Sequence, residues 1–274
     1  MSAARFLPRV LLAGVVGASA AGCGVFAFQP VEGGFDRTLT VGGPVDLDIR
    51  TGAGGVHIRS GAAGSVHVVA RIRAYAADSA DARARVRRIE ATPPIEQNGN
   101  TIRIGQVADS DLYRNVAIGY DVTVPEATRV HSVAGSGGQT ISGPLQGPVD
   151  ATAGSGGVRI DDTSGDVQAT TGSGGVRLTG VRGAVRARTG SGGIRIEGQP
   201  VRPWNLRAGS GGITVSVTGD TPFEVDASAG SGGVSSAQTV NVTGERSKQR
   251  LRGTIRGGGA LVELKTGSGG IRIE

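Results

Sequence analysis

The chain has 274 residues, of which 49 are glycine and only nine are aromatic: five Phe, three Tyr and one Trp. Aromatic rings supply the largest buried areas in ordinary cores, so the interior of this protein must be thin and built from Val, Ile, Leu and Ala. Such an interior disfavours an enzyme fold with a broad hydrophobic core. The formal net charge is +6 and 27 of the 29 basic residues are arginine, so the composition is compatible with an anionic partner.

The N-terminal segment has the pattern of a secretory signal peptide. Arg5 and Arg9 precede an apolar run over residues 10–21, which is shorter than the roughly 20 residues of a membrane-spanning helix. Ala20-Ala21-Gly22 then precede Cys23, and this arrangement resembles the bacterial lipobox, in which the cysteine is lipidated before cleavage.

We therefore predict a lipoprotein-type signal peptide over residues 1–22, a lipid anchor on Cys23 and a short linker over residues 23–34. The alternative is cleavage at Ala18-Ser19-Ala20, which leaves Cys23 without a role. Since Cys23 is the only cysteine, the mature chain contains no internal disulfide.

Residues 35–130 have strand patterns at irregular spacing, interrupted by one helical interval. Ala82, Val86 and Ile89 fall on one face of a short helix near residues 79–90, with Ser79 and Asp81 as capping residues. Its basic residues are more typical of a solvated helix face than of a nucleic-acid site, because acidic residues flank them and no aromatic residues interleave. The sequence therefore predicts irregular N-terminal coils with a helical insertion, and no nucleic-acid partner.

Residues 131–274 contain an internal repeat. Successive copies of Gly-Ser-Gly-Gly begin 19, 18, 18, 19, 21 and 37 residues apart. The copies begin at Gly135, Gly154, Gly172, Gly190, Gly209, Gly230 and Gly267, and a Gly-Ala-Gly-Gly variant begins at Gly52. The last interval equals two periods, so the segment around residues 253–264 is interpreted as one degenerate repeat.

Each repeat predicts one coil of a parallel β-solenoid. The turn is followed by an apolar-polar-apolar triplet, whose period of two indicates a strand, and then by a second turn and a second alternating strand. Stacking coils about 4.8 Å apart would align Val158, Val176, Ile194 and Ile213 in one inward ladder. The predicted fold is all-β, a right-handed or flattened parallel β-solenoid with 18–19 residues per coil, with glycine in the turns for its backbone freedom.

The sequence predicts no catalytic residues, cofactor or metal. Gly-Ser-Gly-Gly lacks the Lys-Ser/Thr and the following helix of a phosphate loop. His57, His67 and His131 are the only histidines and have no ligand spacing. Serine nucleophile chemistry is not indicated, because no Gly-x-Ser-x-Gly elbow precedes a helix.

Two alternatives stay open. A polysaccharide lyase or glycosidase on a β-helix needs two carboxylates about 5 to 9.5 Å apart. Its candidates, Asp150, Asp161, Asp162 and Asp166, suit turns equally well. A polymerising envelope scaffold, similar in shape to bactofilin-type solenoids, is suggested by the last strand at 271–273, since an uncapped coil leaves backbone groups for edge-to-edge self-association. Bactofilin-type proteins are cytoplasmic, however, and the export signal argues against that direct analogy.

The order of parts resembles a family of bacterial putative-adhesin domains of unknown function. The resemblance is carried by residues 35–41, 52–58 and 120–125, by the glycine-turn coils, and by the ending at 257–260 and 266–271. It covers nearly all of the chain after the signal peptide. The resemblance implies a β-solenoid exported to the cell envelope, adhesion as the proposed role, and no catalytic residues.

The arginines are concentrated in the regular coils. Residues 154–215 contain eight arginines and four acidic residues, and Arg159, Arg177 and Arg195 occupy the same outward position in three successive coils. Stacking would hold these like charges about 5 Å apart. They are a candidate anion-binding stripe, because the planar guanidinium suits phosphate and carboxylate groups. The alternative is a solvated face on which the arginines pair with Asp161, Asp162 or Glu197.

We therefore expect a non-catalytic, adhesin-like binding or structural protein of the cell envelope, lipid-anchored to a bacterial membrane through Cys23. Its expected partners are that membrane and polyanionic envelope polymers or surface proteins.

Overall fold

The computed structural model describes residues 30–76, 78–105, 111–243 and 247–274. The predicted signal peptide and the lipidation site at Cys23 lie outside these residues. The first strand begins at Val31, so the last four residues of the predicted linker belong to a strand. No described helix is long and apolar enough to cross a membrane.

Two long β-sheets are formed by the described residues. In spatial order, sheet A contains β1 (Val31–Thr40), β4 (Ser65–Ala74), β7 (Val116–Pro125), β3 (Val56–Gly61), β9 (Gln139–Leu145), β11 (Val158–Thr163), β13 (Val176–Val181), β15 (Ile194–Gly198), β17 (Ile213–Val217), β23 (Ile271–Ile273) and β19 (Val234–Ser236). Sheet B contains β20 (Asn241–Val242), β21 (Arg250–Ile255), β18 (Phe223–Ala229), β22 (Ala260–Thr266), β16 (Trp204–Ala208), β14 (Val185–Thr189), β12 (Val167–Thr171), β10 (Val149–Ala153), β8 (Thr128–Ala134), β2 (Val45–Thr51), β6 (Thr101–Ile104) and β5 (Ile95–Asn98).

The chain alternates between the two sheets, and the regular coils stack in parallel. Val158 pairs with Val176, Val176 with Ile194, and Ile194 with Ile213, as the predicted inward ladder requires. The inward residues of both sheets are buried and form one thin core, of which Trp204 and Phe223 are the largest members in the regular coils. The prediction of an all-β parallel solenoid is confirmed, in its flattened form with two facing sheets.

One helix, α1 (Ser79–Ala91), covers strands β1 and β4. It buries Ala82, Val86 and Ile89, the three residues that the sequence placed on one face. The capping residue is Asp78 rather than Ser79 or Asp81, because the Asp78 backbone is extended and its carboxylate accepts a hydrogen bond from the Ala80 amide at 2.8 Å.

The turn glycines are required for a different reason from the one expected. Among the seven Gly-Ser-Gly-Gly copies no glycine has a positive φ, so left-handed backbone does not explain them. Instead, a Cβ on the second glycine of a turn, which is its third residue, would overlap the backbone of the preceding coil. At Gly156 it would lie 1.9 Å from the Gly137 carbonyl oxygen, and at Gly174 2.0 Å from that of Gly156. Glycine therefore permits the close approach of stacked turns.

The last strands do not form an uncapped end, and that expectation is wrong. Strand β22 lies between β16 and β18, and β23 lies between β17 and β19, so both are paired on two sides. The segment around residues 253–264 is also not a degenerate repeat, because β21 runs antiparallel to β18 and only β22 joins the parallel stack. The chain turns back after β19 and fills a gap between two earlier coils.

Candidate functional site

A track of glycines runs across the outward face of sheet A. Each glycine comes directly before the first inward residue of its strand, and its carbonyl oxygen accepts a hydrogen bond from the neighbouring strand at 2.9 to 3.0 Å. In spatial order the track consists of Gly55, Gly138, Gly157, Gly175, Gly193, Gly212, Gly270 and Gly233. Because glycine has no side chain, this strip of the surface consists of backbone.

The predicted arginine stripe lies beside this glycine track. Arg159 is in register with Arg177, and Arg177 with Arg195, and all three side chains are exposed. Neighbouring strands lie about 4.8 Å apart, so the guanidinium groups form a column of three like charges. We call these three residues the arginine column.

The glycine track and the arginine column together line an open groove of about 740 Å³. The groove crosses six neighbouring strands from β3 to β17, a length of about 24 Å at the usual strand spacing. Along its wall, His57 and Thr140 precede the arginine column and Thr214 follows it. A long shallow groove of this kind is open at the surface and runs along the solenoid axis.

The positive charge of the column is only partly compensated. Arg159 donates to Asp161, with 2.6 Å between Nε and Oδ2. Within the described part of the chain, Arg177 and Arg195 form no ion pair, and neither Asp162 nor Glu197 pairs with any of the three arginines. Like charges about 5 Å apart repel by about 1 kcal/mol even in bulk water, so an anion between these guanidinium groups would relieve the repulsion.

Arg272 extends the same outward row and was not among the predicted site residues. It is in register with Thr214, so one threonine separates it from the arginine column. The sequence contains a signal for it, since residues 266–274 repeat residues 189–197 without a single difference. That identity shows a similar local structure for Arg195 and Arg272, but it does not show where the last coil stacks.

The histidines are distributed over separate positions. His57 lines the groove, His67 lies 2.7 Å from Asp36, and His131 lies 3.5 Å from Asp150. Among the described residues, no group of three or more His, Cys, Asp or Glu side chains is arranged to hold a metal ion.

The four carboxylates considered for glycoside chemistry are divided between different surfaces. Asp150 and Asp166 line a trough of about 630 Å³ on sheet B, whereas Asp161 lies beside Arg159 on sheet A and Asp162 lines a smaller groove. The Asp166 carboxylate accepts a hydrogen bond from the Ala184 amide at 3.0 Å, which connects it to the next coil. This contact gives Asp166 a structural role in the turn.

Comparison with known families identifies the solenoid. A family model described as Toastrack DUF4097 matches residues 76–274, which include the helix, all of the regular coils and the groove except its first strand, β3. The chain belongs to the Toastrack family. This membership confirms the resemblance to a bacterial putative-adhesin family.

Three crystal structures are similar to this chain at low sequence identity. A putative cell adhesion protein from Clostridium sporogenes is 13% identical with a TM-score of 0.42, covering 89% of this chain and 99% of its own. A putative adhesin from Bacteroides fragilis is 14% identical with a TM-score of 0.33, and the match covers 90% of this chain and 99% of the adhesin. A putative lipid binding protein from Parabacteroides distasonis is 11% identical with a TM-score of 0.36, and the match covers 88% of this chain and 96% of that protein. No curated protein matches the chain.

Proposed function

We propose that this Toastrack protein is a non-catalytic, adhesin-like binding protein of the bacterial cell envelope, and that its groove on sheet A binds polyanionic envelope polymers. The observation that carries the proposal is the arginine column, because two of its three guanidinium groups lack a carboxylate partner among the described residues. Export and a lipid anchor on Cys23 are part of the proposal and are supported by the signal-peptide pattern and the lipobox-like residues that precede Cys23.

The shape of the groove favours a linear chain as its ligand. The three guanidinium groups follow one another along the solenoid axis, so a polymer lying in the groove could place phosphate or carboxylate groups against successive arginines. A guanidinium group can donate two parallel hydrogen bonds to such an oxyanion. The glycine track beside the column adds no side chains that would obstruct the polymer.

Replacing the arginine column should weaken polyanion binding. We expect the variant Arg159→Gln/Arg177→Gln/Arg195→Gln to bind polygalacturonate and lipoteichoic acid at least about tenfold less tightly than the parent, which corresponds to about 1.4 kcal/mol. Parent binding should also weaken between low and physiological ionic strength, since salt screens exposed charges. Titration calorimetry with a fixed polymer preparation measures both effects.

The matched control removes the same charge from sheet B. Arg186, Arg188 and Arg207 are exposed on that sheet, and changing all three to Gln lowers the net charge by the same amount. The control should bind almost as well as the parent. An equal loss in both variants would mean that net charge alone attracts the polymer, and no binding by the parent at low salt would contradict the proposal.

The lipid anchor gives a separate expected result. In a bacterial host that processes lipoproteins, the parent should partition into the detergent phase of a Triton X-114 extract, whereas Cys23→Ser should move to the aqueous phase. Acylation adds about 0.8 kcal/mol of membrane affinity for each buried methylene, so the shift should be large. Equal partitioning of the two forms would remove lipidation from the proposal.

A further inference from the structure

The final coil, residues 260–274, is hydrogen-bonded on both sides to strands from earlier parts of the chain. Its first strand, β22, is paired in parallel with β16 and β18, and its second strand, β23, with β17 and β19. Leu264 and Ile273 are fully buried in the common core. The final coil therefore occupies a slot whose two walls are coils that follow one another directly in sequence.

The walls of this slot are compatible with each other. Trp204 and Val225 both pair with Val262, and Ile213 and Val234 both pair with Ile271. Gly209 and Gly230 begin turns only 21 residues apart, close to the usual 18 or 19. If the final coil left, its two neighbours could stack on each other in register, apolar residue against apolar residue.

The final coil is connected through a segment suited to a hinge. After β21, Arg256, Gly257 and Gly258 have φ values of 52°, 94° and 85°, and Gly259 follows before β22 begins. Three consecutive glycines allow a change of direction at little steric cost. The hinge crosses the end of β18, because Ile255 and Ala260 both pair with Phe223 from opposite sides.

From this arrangement we infer that the final coil exchanges between copies of this chain. The final coil of one copy inserts into the slot of a second copy, and each slot is then filled by the same strands in the same register as before. A swapped pair keeps all pairings of the single chain and changes only the hinge, which is the condition under which exchange of an element costs little. The partner is a second copy of the chain, and polymer binding by the groove is not required.

Two single-cysteine variants test the exchange. Thr214 and Arg272 are register partners on the outward face. The distance between neighbouring parallel strands, about 4.8 Å, lies within the range of Cα–Cα distances that a disulfide can join. In a Cys23→Ser background, Thr214→Cys and Arg272→Cys are mixed, unfolded in urea, refolded together at micromolar concentration and oxidised. Two cysteines held in register have an effective concentration of about 1 mM, which is far above the micromolar concentration of the mixed proteins. We therefore expect at least about tenfold more disulfide-linked heterodimer than in the control mixture.

The control mixture combines Arg177→Cys with Arg195→Cys, which are also register partners but belong to coils inside the regular stack. Equal heterodimer yields in the two mixtures would show that the final coil stays in its own chain. When it is oxidised as a dilute folded monomer before the urea step, the double variant Thr214→Cys/Arg272→Cys should form a disulfide within one chain. This disulfide keeps the final coil in its own slot and should abolish dimers formed on refolding. If this internal disulfide does not form in a folded chain, β23 does not lie beside β17 and the inference fails.

Discussion

Gly137→Ala should strongly destabilise the solenoid, whereas Gly138→Ala, one residue later in the same turn, should leave its stability nearly unchanged. A Cβ on Gly137 would lie 1.6 Å from the Gly54 carbonyl oxygen, so the stacked turns would have to separate. A Cβ on Gly138 would meet nothing closer than the Gly157 carbonyl oxygen at 3.7 Å, an ordinary contact. We expect a loss of about 3 kcal/mol or more for the first variant, at the upper end of overpacking effects, and about 0.5 kcal/mol or less for the second.

The midpoint of urea unfolding, compared at equal m-value, measures the difference between the two variants. The pair separates steric overlap from any general effect of removing glycine, because both changes add one methyl group to one turn. Equal midpoints for the two variants would mean that the turns are not stacked as closely as the structure has them.

Leu264→Ala should cost about 2 to 5 kcal/mol, the usual range for a buried leucine whose removal leaves a cavity. Leu264 is 0% exposed, because its strand β22 lies between two other strands of sheet B and its side chain points into the core. Leu261 in the same strand is 44% exposed, so Leu261→Ala is the matched control and should change stability by about 0.5 kcal/mol or less.

Thermal or urea unfolding of the two leucine variants gives the comparison. A similar small effect at both positions would show that β22 is not inserted between β16 and β18. The result also bears on the exchange of the final coil, because that exchange requires β22 to be inserted between β16 and β18.

The regular coils could be predicted from the sequence because their geometry is local and periodic. The spacing of the Gly-Ser-Gly-Gly turns sets the coil length, and the apolar-polar-apolar triplets decide which side chains point inward. In-register stacking then follows for Val158 and Val176, and with it the alignment of Arg159, Arg177 and Arg195. The arginine column is thus a direct consequence of the repeat.

Other features depend on contacts that a repeat pattern does not contain. The spacing of 37 residues before Gly267 equals two coils, but the pairing of β22 and β23 is decided by long-range contacts with strands on both sides. Turn glycines are visible in the sequence, whereas the reason for them, close approach to the preceding coil, appears only when the coils are stacked. The sequence offered Asp161, Asp162 and Glu197 as possible partners of the arginine column. Only the side-chain positions show that Asp161 is the one that forms an ion pair with it.

Arginine footprinting is the most direct test of the groove as a binding site. The protein is treated with phenylglyoxal, which modifies accessible guanidinium groups, with and without polygalacturonate at low salt, and each arginine is quantified by mass spectrometry. We expect the polymer to protect Arg177 and Arg195 most strongly, while Arg186 and Arg188 on sheet B react as they do in its absence. Equal protection on both sheets, or protection confined to sheet B, would contradict a polyanion-binding groove on sheet A.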